Sequence, residues 1–204
     1  NLRCSHFSVN SLGTLILNAD YAANTLFVNT TTDEDNKVGY EFTDKHGRTI
    51  LHRQINGSEQ LNTYYVYNDA GNLCYVLPPL IENNISADNL NKYAYSYQYD
   101  SFHRCIEKKL PGCEPVYYVY DKADRMVFSQ DGEQRSRGEW AFHFADELGR
   151  PAVSGICRNS YNHHANPLGN VIVKVSWANT NTTLAGYGMP DISVNSPQIL
   201  SVNY

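Results

Sequence analysis

Three observations predict an all-β fold: an antiparallel meander of β-hairpin repeats forming a curved sheet, with one short helix near residues 86–92. Sixteen of the 204 residues are Tyr, a residue that favours strands and offers a half-buried sheet face both an apolar ring and a polar tip. Short alternating apolar segments are punctuated by Gly, Pro, Asn and Asp. One short phrase recurs along the chain. Its clearest copy is Tyr97-Gln98-Tyr99-Asp100-Ser101-Phe102-His103-Arg104, followed by Tyr118-Val119-Tyr120-Asp121-Lys122-Ala123-Asp124-Arg125. Tyr65-Val66-Tyr67-Asn68-Asp69-Ala70-Gly71-Asn72 precedes both, and diverged copies stand at Thr43–Arg48 and Ala145–Arg150.

Residues 1–39 read as N-terminal strands, with Thr14–Leu17 a short apolar candidate and Thr25–Thr31 a better one. The polar run Asp33-Glu34-Asp35-Asn36 turns the chain into a returning strand at Val38–Thr43. Residues 40–157 carry the repeats. Arg48–Ile55 leaves the first phrase, Asn56-Gly57-Ser58-Glu59 turns, and Asn62–Tyr67 returns to the second. Asn72–Leu77 leaves again, and Pro78-Pro79 stops it. Ser86 is a good N-cap for a helix of about two turns. Tyr93, Tyr95, Tyr97 and Tyr99 alternate strictly, which places four rings on one strand face. Arg104–Leu110, the Pro111-Gly112 turn and Glu114–Tyr120 form a hairpin. Arg125–Gln130, a turn region at Asp131-Gly132, and Gly138–Phe144 form another. Pro151–Cys157 closes the series. Residues 158–204 read as a polar loop over 158–170, then strands at Val171–Trp177, Leu184–Tyr187 and Ile199–Tyr204 that continue the sheet.

The phrase has a local physical logic. Its second position is Asp44, Asn68, Asp100, Asp121 and Asp146, at separations of 24, 32, 21 and 25 residues. The longest interval holds the expected helix. A period in the twenties suits two strands and two turns. A side-chain oxygen there can accept from its own turn. The fifth position is Gly47, Gly71, His103, Asp124 and Gly149. Gly takes positive φ freely, and Asp and His are among the residues that tolerate it. The spacing therefore predicts a turn ending in a left-handed residue, with a bulge feeding the next strand. If successive hairpins align, Tyr67, Tyr99 and Tyr120 form an aromatic ladder.

The phrase Tyr-x-Tyr-Asp-x-x-Gly-Arg resembles the YD repeat of Rhs proteins, a repeat also found in teneurins and insecticidal toxin complexes. The run Tyr67-Asn68-Asp69-Ala70-Gly71-Asn72-Leu73 with Cys74-Tyr75-Val76-Leu77-Pro78-Pro79 is similar to the Bacteroidetes branch of that family. The departures are Thr43 and Ala145 at the Tyr position, and His103 and Asp124 at the Gly position. The resemblance implies a hairpin sheet spiralling into a hollow shell that encloses or displays a C-terminal toxin or effector. It also implies an exported protein at the cell surface or outside the cell, with the rest of its own longer chain as principal partner. In that family the shell-closing end carries self-cleaving aspartates after a D-P-x-G type motif. No such motif stands here, so no catalytic residue is carried over.

Composition excludes some classes. A net charge of −5 argues against nucleic acid as a partner. No apolar run reaches the roughly 18 residues of a membrane-crossing helix. The chain begins at Asn1 without an apolar leader, and reads as a fragment of a longer protein. Five Cys, at 4, 74, 105, 113 and 157, show no zinc spacing. Cys105 and Cys113 flank a hairpin whose two-residue turn would set Cys105 opposite Tyr118 and Cys113 opposite Leu110, so a disulfide between them is not expected. His163-His164 lacks a third ligand at a telling spacing and reads as a solvated loop. His52 and His143 fall on strand faces. The turn aspartates recur with the fold, which explains them better than paired acids for glycoside hydrolysis. Asn29, Asn56, Asn84 and Asn181 head N-x-Ser/Thr sequons. The sequence thus points to a non-catalytic structural segment with no metal and no cofactor. Its alternative function is a glycan- or protein-binding module using an aromatic sheet face. Self-association through open sheet edges is a further expectation.

Overall fold

The computed structural model describes residues 2–81, 84–179, 183–190, 192 and 197–203. They divide into two compact units, residues 1–98 with 109–113, and residues 99–108 with 114–204.

The first unit opens with a hairpin of its own. β1 (Ser5–Val9) pairs with β2 (Leu15–Asp20) as a separate two-stranded sheet. Its turn is shaped by Asn10, whose Oδ1 accepts the Leu12 and Thr14 N–H groups, each at 2.9 Å. Only Leu15 of the expected apolar strand is buried; the other residues of β2 face solvent. The meander proper follows as β3 (Phe27–Thr32), β4 (Val38–Thr43), β5 (Thr49–Asn56), β6 (Glu59–Tyr67) and β7 (Leu73–Leu77). The β5–β6 turn is tighter than expected, because Asn56 faces Glu59 across a two-residue Gly57-Ser58 loop.

Period-two burial in β5 sends Leu51 and Arg53 inward and His52 and Gln54 outward. Phe42, Leu51, Tyr64, Val66 and Leu77 form the core, covered by Phe7 and Leu15 of the small sheet and by Cys4 just before it. Phe7 meets the Tyr64 ring edge-on at 4.8 Å. Buried Arg53 fastens that cover: its Nε donates to Asn62 Oδ1 at 2.7 Å and its Nη2 to the Arg3 carbonyl at 2.9 Å. A helix α1 (Ala87–Tyr93) follows, and the Ser86 hydroxyl accepts the Asn89 N–H as its N-cap. Tyr93 ends this helix, so the strand β8 (Tyr95–Tyr99) presents three alternating Tyr and not four.

In the second unit, β9 (Cys105–Lys109) and β10 (Val116–Tyr120) pair with Glu107 opposite Tyr117 and Lys108 opposite Val116. That register differs by one residue from the two-residue turn expected at Pro111-Gly112, because residues 110–115 all belong to the loop. All five cysteines are free thiols. β11 (Met126–Gln130), β12 (Glu139–Ala145), β13 (Pro151–Arg158) and β14 (Gln198–Asn203) complete the series. The expected turn at Asp131-Gly132 is instead a helix α2 (Gly132–Arg137). A capping box between Asp131 and Gln134 starts it, and Gly138 at φ 64° ends it.

Val119, Phe128, Trp140, Phe142, Phe144, Val153 and Cys157 supply the sheet side of this core. Gly155 faces Phe142 across the β12–β13 pair. A Cβ there would lie 2.8 Å from the Phe142 ring and would collide with the Ser201 carbonyl, so the backbone itself is the packing surface.

The described residues of 158–179 and 183–190 fold back over that core, with Tyr161, Leu168, Val173, Val175 and Leu184 buried. Full burial of such aliphatic side chains stabilises by about 1.5–3 kcal/mol each. The strand expected at Val171–Trp177 is not part of the sheet. Its alternation is real, since Val173 and Val175 are buried, but among the described residues it makes isolated bridges, Ala145 with Lys174 and Trp177 with Tyr187. It runs past turn ends: Val171 O accepts from Lys122 N, and Val175 N donates to Ala145 O, both at 2.9 Å. Leu184–Tyr187 is likewise a turn, although Leu184 is fully buried. Tyr204 of the expected last strand and the Asn181 sequon lie outside the described residues.

From β14 down to β3, each strand of the twelve-stranded sheet lies beside its sequence neighbour. Within each unit the pairs are antiparallel, which makes each a meander of hairpins.

Candidate functional site

All five phrases build the same turn. In each, the second residue's N–H donates to the sixth residue's carbonyl, and the fifth residue's N–H donates back to the second residue's carbonyl, at 2.9–3.2 Å throughout. The fifth residue is left-handed every time: Gly47 at φ 77°, Gly71 at 84°, His103 at 64°, Asp124 at 59° and Gly149 at 79°. The β-ladder slips by one residue beside the phrases at 44, 68, 121 and 146. This is a type I turn closed by a bulge.

The carboxylate has two jobs in this turn. Asp100 Oδ1 accepts the Phe102 and Arg104 N–H groups at 2.9 and 3.0 Å, and its Oδ2 accepts Arg104 Nε at 2.7 Å. Asp44 with Arg48 and Asp146 with Arg150 repeat that geometry. Asn68 does the neutral version, accepting the Asn72 N–H at 2.9 Å. Burial alone pushes the Asp44 carboxyl up, but hydrogen bonds from the Arg48 backbone and side chain outweigh it and hold the group below its ordinary value. Asp146 is held low chiefly by the Arg150 side chain and N–H.

The Arg is where one turn meets the next. Arg48 lies over the Tyr67 ring at 5.0 Å, and Tyr67 donates its hydroxyl to the Thr49 carbonyl at 3.2 Å. Arg104 lies over the Tyr120 ring at 5.1 Å and donates through Nη1 to Asp121 O at 2.9 Å and Asp124 Oδ1 at 3.0 Å. Tyr120 in turn donates its hydroxyl to the Cys105 carbonyl. Tyr67 and Tyr120 are therefore not rungs of a ring-on-ring ladder as expected. Each stacks under the guanidinium of the preceding phrase, which is the better electrostatic partner for a ring face.

Asp121 is the most enclosed member, with no exposed surface. Besides Arg125 and its own turn, its Oδ2 accepts the Val173 N–H at 3.1 Å, while Arg125 Nη2 donates to Val173 O at 2.8 Å. This pair sews the 171–177 segment onto the turn.

One other constellation stands out. A 3-10 turn at His163–Ala165 is capped by Asn162, whose Oδ1 accepts the His164 N–H at 3.0 Å. Asn166 leaves the turn in the left-handed region at φ 47°, and its Oδ1 accepts from Arg104 Nη2 at 3.1 Å. The two imidazoles and Glu107 come together: Nε2 of His163 is 3.4 Å, and Nε2 of His164 3.8 Å, from Glu107 Oε2. His163 is buried and stacks on Tyr117 at 3.8 Å, while Arg135 covers the Tyr117 ring at 4.2 Å. Burial, then the neighbouring His163, lowers the His164 imidazole below its usual value. The solvated loop expected here is thus half right: His164 is exposed, His163 is not. The third group that sequence spacing failed to supply is Glu107, 56 residues earlier. No local signal joins the two; only the Glu107–Tyr117 register does.

Among the exposed aromatics, Trp177 stands at 87° to Tyr187, so that pair forms an edge and not a flat stacking platform. No described helix is long and apolar enough to cross a membrane.

The sequence matches no family model, and no curated protein is similar to it. Among solved structures, the fold is similar to a chain of the TcdB2-TccC3 crystal structure, with a TM-score of 0.52 and 14% identity. The match covers 90% of this chain and 10% of that one. The likeness is one of fold, and the chain spans about a tenth of the length of this structural neighbour.

Proposed function

We propose that the chain is a non-catalytic wall segment of a longer, exported Rhs-type protein, whose hairpins enclose or display a C-terminal toxin or effector. The observation that carries this reading is the forward link. In three phrases the guanidinium reaches beyond its own turn: Arg48 over Tyr67, Arg104 onto Asp121 and Asp124, and Arg125 onto Val173. A chain that spends its charged hydrogen bonds on joining turns is built for mechanical continuity. The carboxylates a hydrolase would use are already committed to their own turns. The extent of the fold match, nearly all of this chain against a tenth of the neighbour, supports a segment of something larger.

Limited proteolysis of the complete gene product tests the reading. The expected result is that sequence downstream of Tyr204 stays protected until denaturant unfolds the hairpin wall, and is then cut at once. Downstream sequence cut at the rate of the free segment under native conditions would overturn enclosure.

A further inference from the structure

We propose that Glu107, His163 and His164 bind one divalent transition-metal ion of the zinc class, clamping the 158–170 loop to the β9–β10 hairpin. The three ligand atoms lie within 4.8 Å of one another. Zinc bonds of about 2.0–2.2 Å at tetrahedral angles separate neighbouring ligand atoms by roughly 3.3–3.6 Å. Of the observed distances from Glu107 Oε2 to the two imidazole nitrogens, 3.4 Å lies within that range and 3.8 Å just above it. As hydrogen bonds the same distances are poor, because charge-assisted N–H···O contacts close to about 2.7–2.9 Å. One carboxylate oxygen facing two ring nitrogens at this separation is spaced for an ion between them.

The ligands are also held in place before any metal arrives. His163 is clamped by its stack on Tyr117. The Asn162 cap sets the turn that carries both rings, and Arg104 grips its exit at Asn166. Glu107 sits on β9 directly opposite Tyr117, so one hairpin positions both the carboxylate and the ring that orients His163. Such outer contacts are what fix imidazole ligands in metal sites. His164 is half exposed, which leaves a fourth position open to water. Two nitrogen ligands and one carboxylate favour zinc, cobalt, nickel or copper over magnesium or calcium.

The test uses the whole chain, dialysed against chelator and then titrated with zinc chloride by calorimetry, with cobalt as a spectroscopic probe. One equivalent is expected to bind, with an intense tetrahedral visible band from cobalt and a raised melting temperature. Magnesium should do neither. Glu107→Gln and His164→Gln are each expected to weaken binding at least tenfold. His164 is exposed, so that variant should keep the metal-free melting temperature and separate ligand loss from misfolding. Binding that never saturates at one equivalent, or that survives either substitution within tenfold, overturns the site.

Discussion

Replacing Asp121 by Ala removes an acceptor that serves five donors. Oδ1 takes Ala123 N and Arg125 N at 2.9 and 3.1 Å; Oδ2 takes Arg125 Nε at 3.0 Å, Arg125 Nη2 at 2.6 Å and Val173 N at 3.1 Å. The carboxylate is fully enclosed, and Val173 is 1% exposed, so water cannot take over. Removing one partner of a buried ion pair costs about 3–5 kcal/mol, and because the Arg125 side chain is 26% exposed and partly rehydrates, the lower end of that range applies. With a urea m-value of about 1–3 kcal/mol/M, the midpoint should fall by on the order of 2 M. Asp146→Ala deletes the same chemistry, but Arg150 is 71% exposed and can rehydrate, so the midpoint should barely move. A third variant sharpens the test. Asp121→Asn keeps Oδ1 but turns an amide N–H₂ toward Arg125 and Val173, donor against donor. Adding Arg125→Asn removes the guanidinium that faces this amide, while the residue-125 backbone N–H can still reach Oδ1 as the Asn72 N–H reaches Asn68. The double variant should therefore regain about 1 kcal/mol or more over Asp121→Asn alone. Tryptophan fluorescence reads this unit, because Trp140 is buried in its core. Equal midpoint shifts for Asp121→Ala and Asp146→Ala would refute the argument that burial sets the value of the turn.

Gly155→Ala should destabilise by about 1–3 kcal/mol through overpacking against Phe142 and the Ser201 carbonyl, measurable in the same urea titration. Burial pushes the Cys4 and Cys157 thiols up to about 12, so native labelling with a chromogenic disulfide should react first at exposed Cys113. Cys113→Ser should abolish that fast phase, and denaturation should release all remaining thiols. The folded Asp146 carboxyl titrates below its unfolded value of about 3.9, so its contribution is complete above about pH 4 and lost as pH falls through the folded value. Stability of Asp146→Asn should therefore fall less steeply on acidification than that of the parent, checked by urea midpoints at several acid pH values.

The turns were legible in the sequence because their causes are local. A side-chain acceptor and a left-handed residue three positions later fix the geometry whatever lies around them, which is why His103 and Asp124 could be placed beside the glycines. The same holds for the Ser86 cap of α1. Helix α2 was missed because Asp131-Gly132 imitates a turn; Asp131 with Gln134 and Gly138 was the countersign. The 171–177 segment alternates like a strand, and its valines are buried, but its backbone partners are a turn carboxylate and a turn carbonyl. Alternation records which side is covered and says nothing about what the N–H groups meet. The His163–His164–Glu107 cluster depends on a hairpin register and a long return loop, neither of which leaves a mark at fixed spacing.

The forward reach of the phrase arginines also gives the assembly a direction. Arg48 and Arg104 are each held by an aspartate earlier in the chain and are met by a tyrosine or a turn that comes later. In synthesis from the N-terminus, the aspartate–arginine half of each link leaves the ribosome before the residues that receive it. If folding follows synthesis, each hairpin then arrives at a turn whose donor is already present, so the links favour assembly in the order of translation.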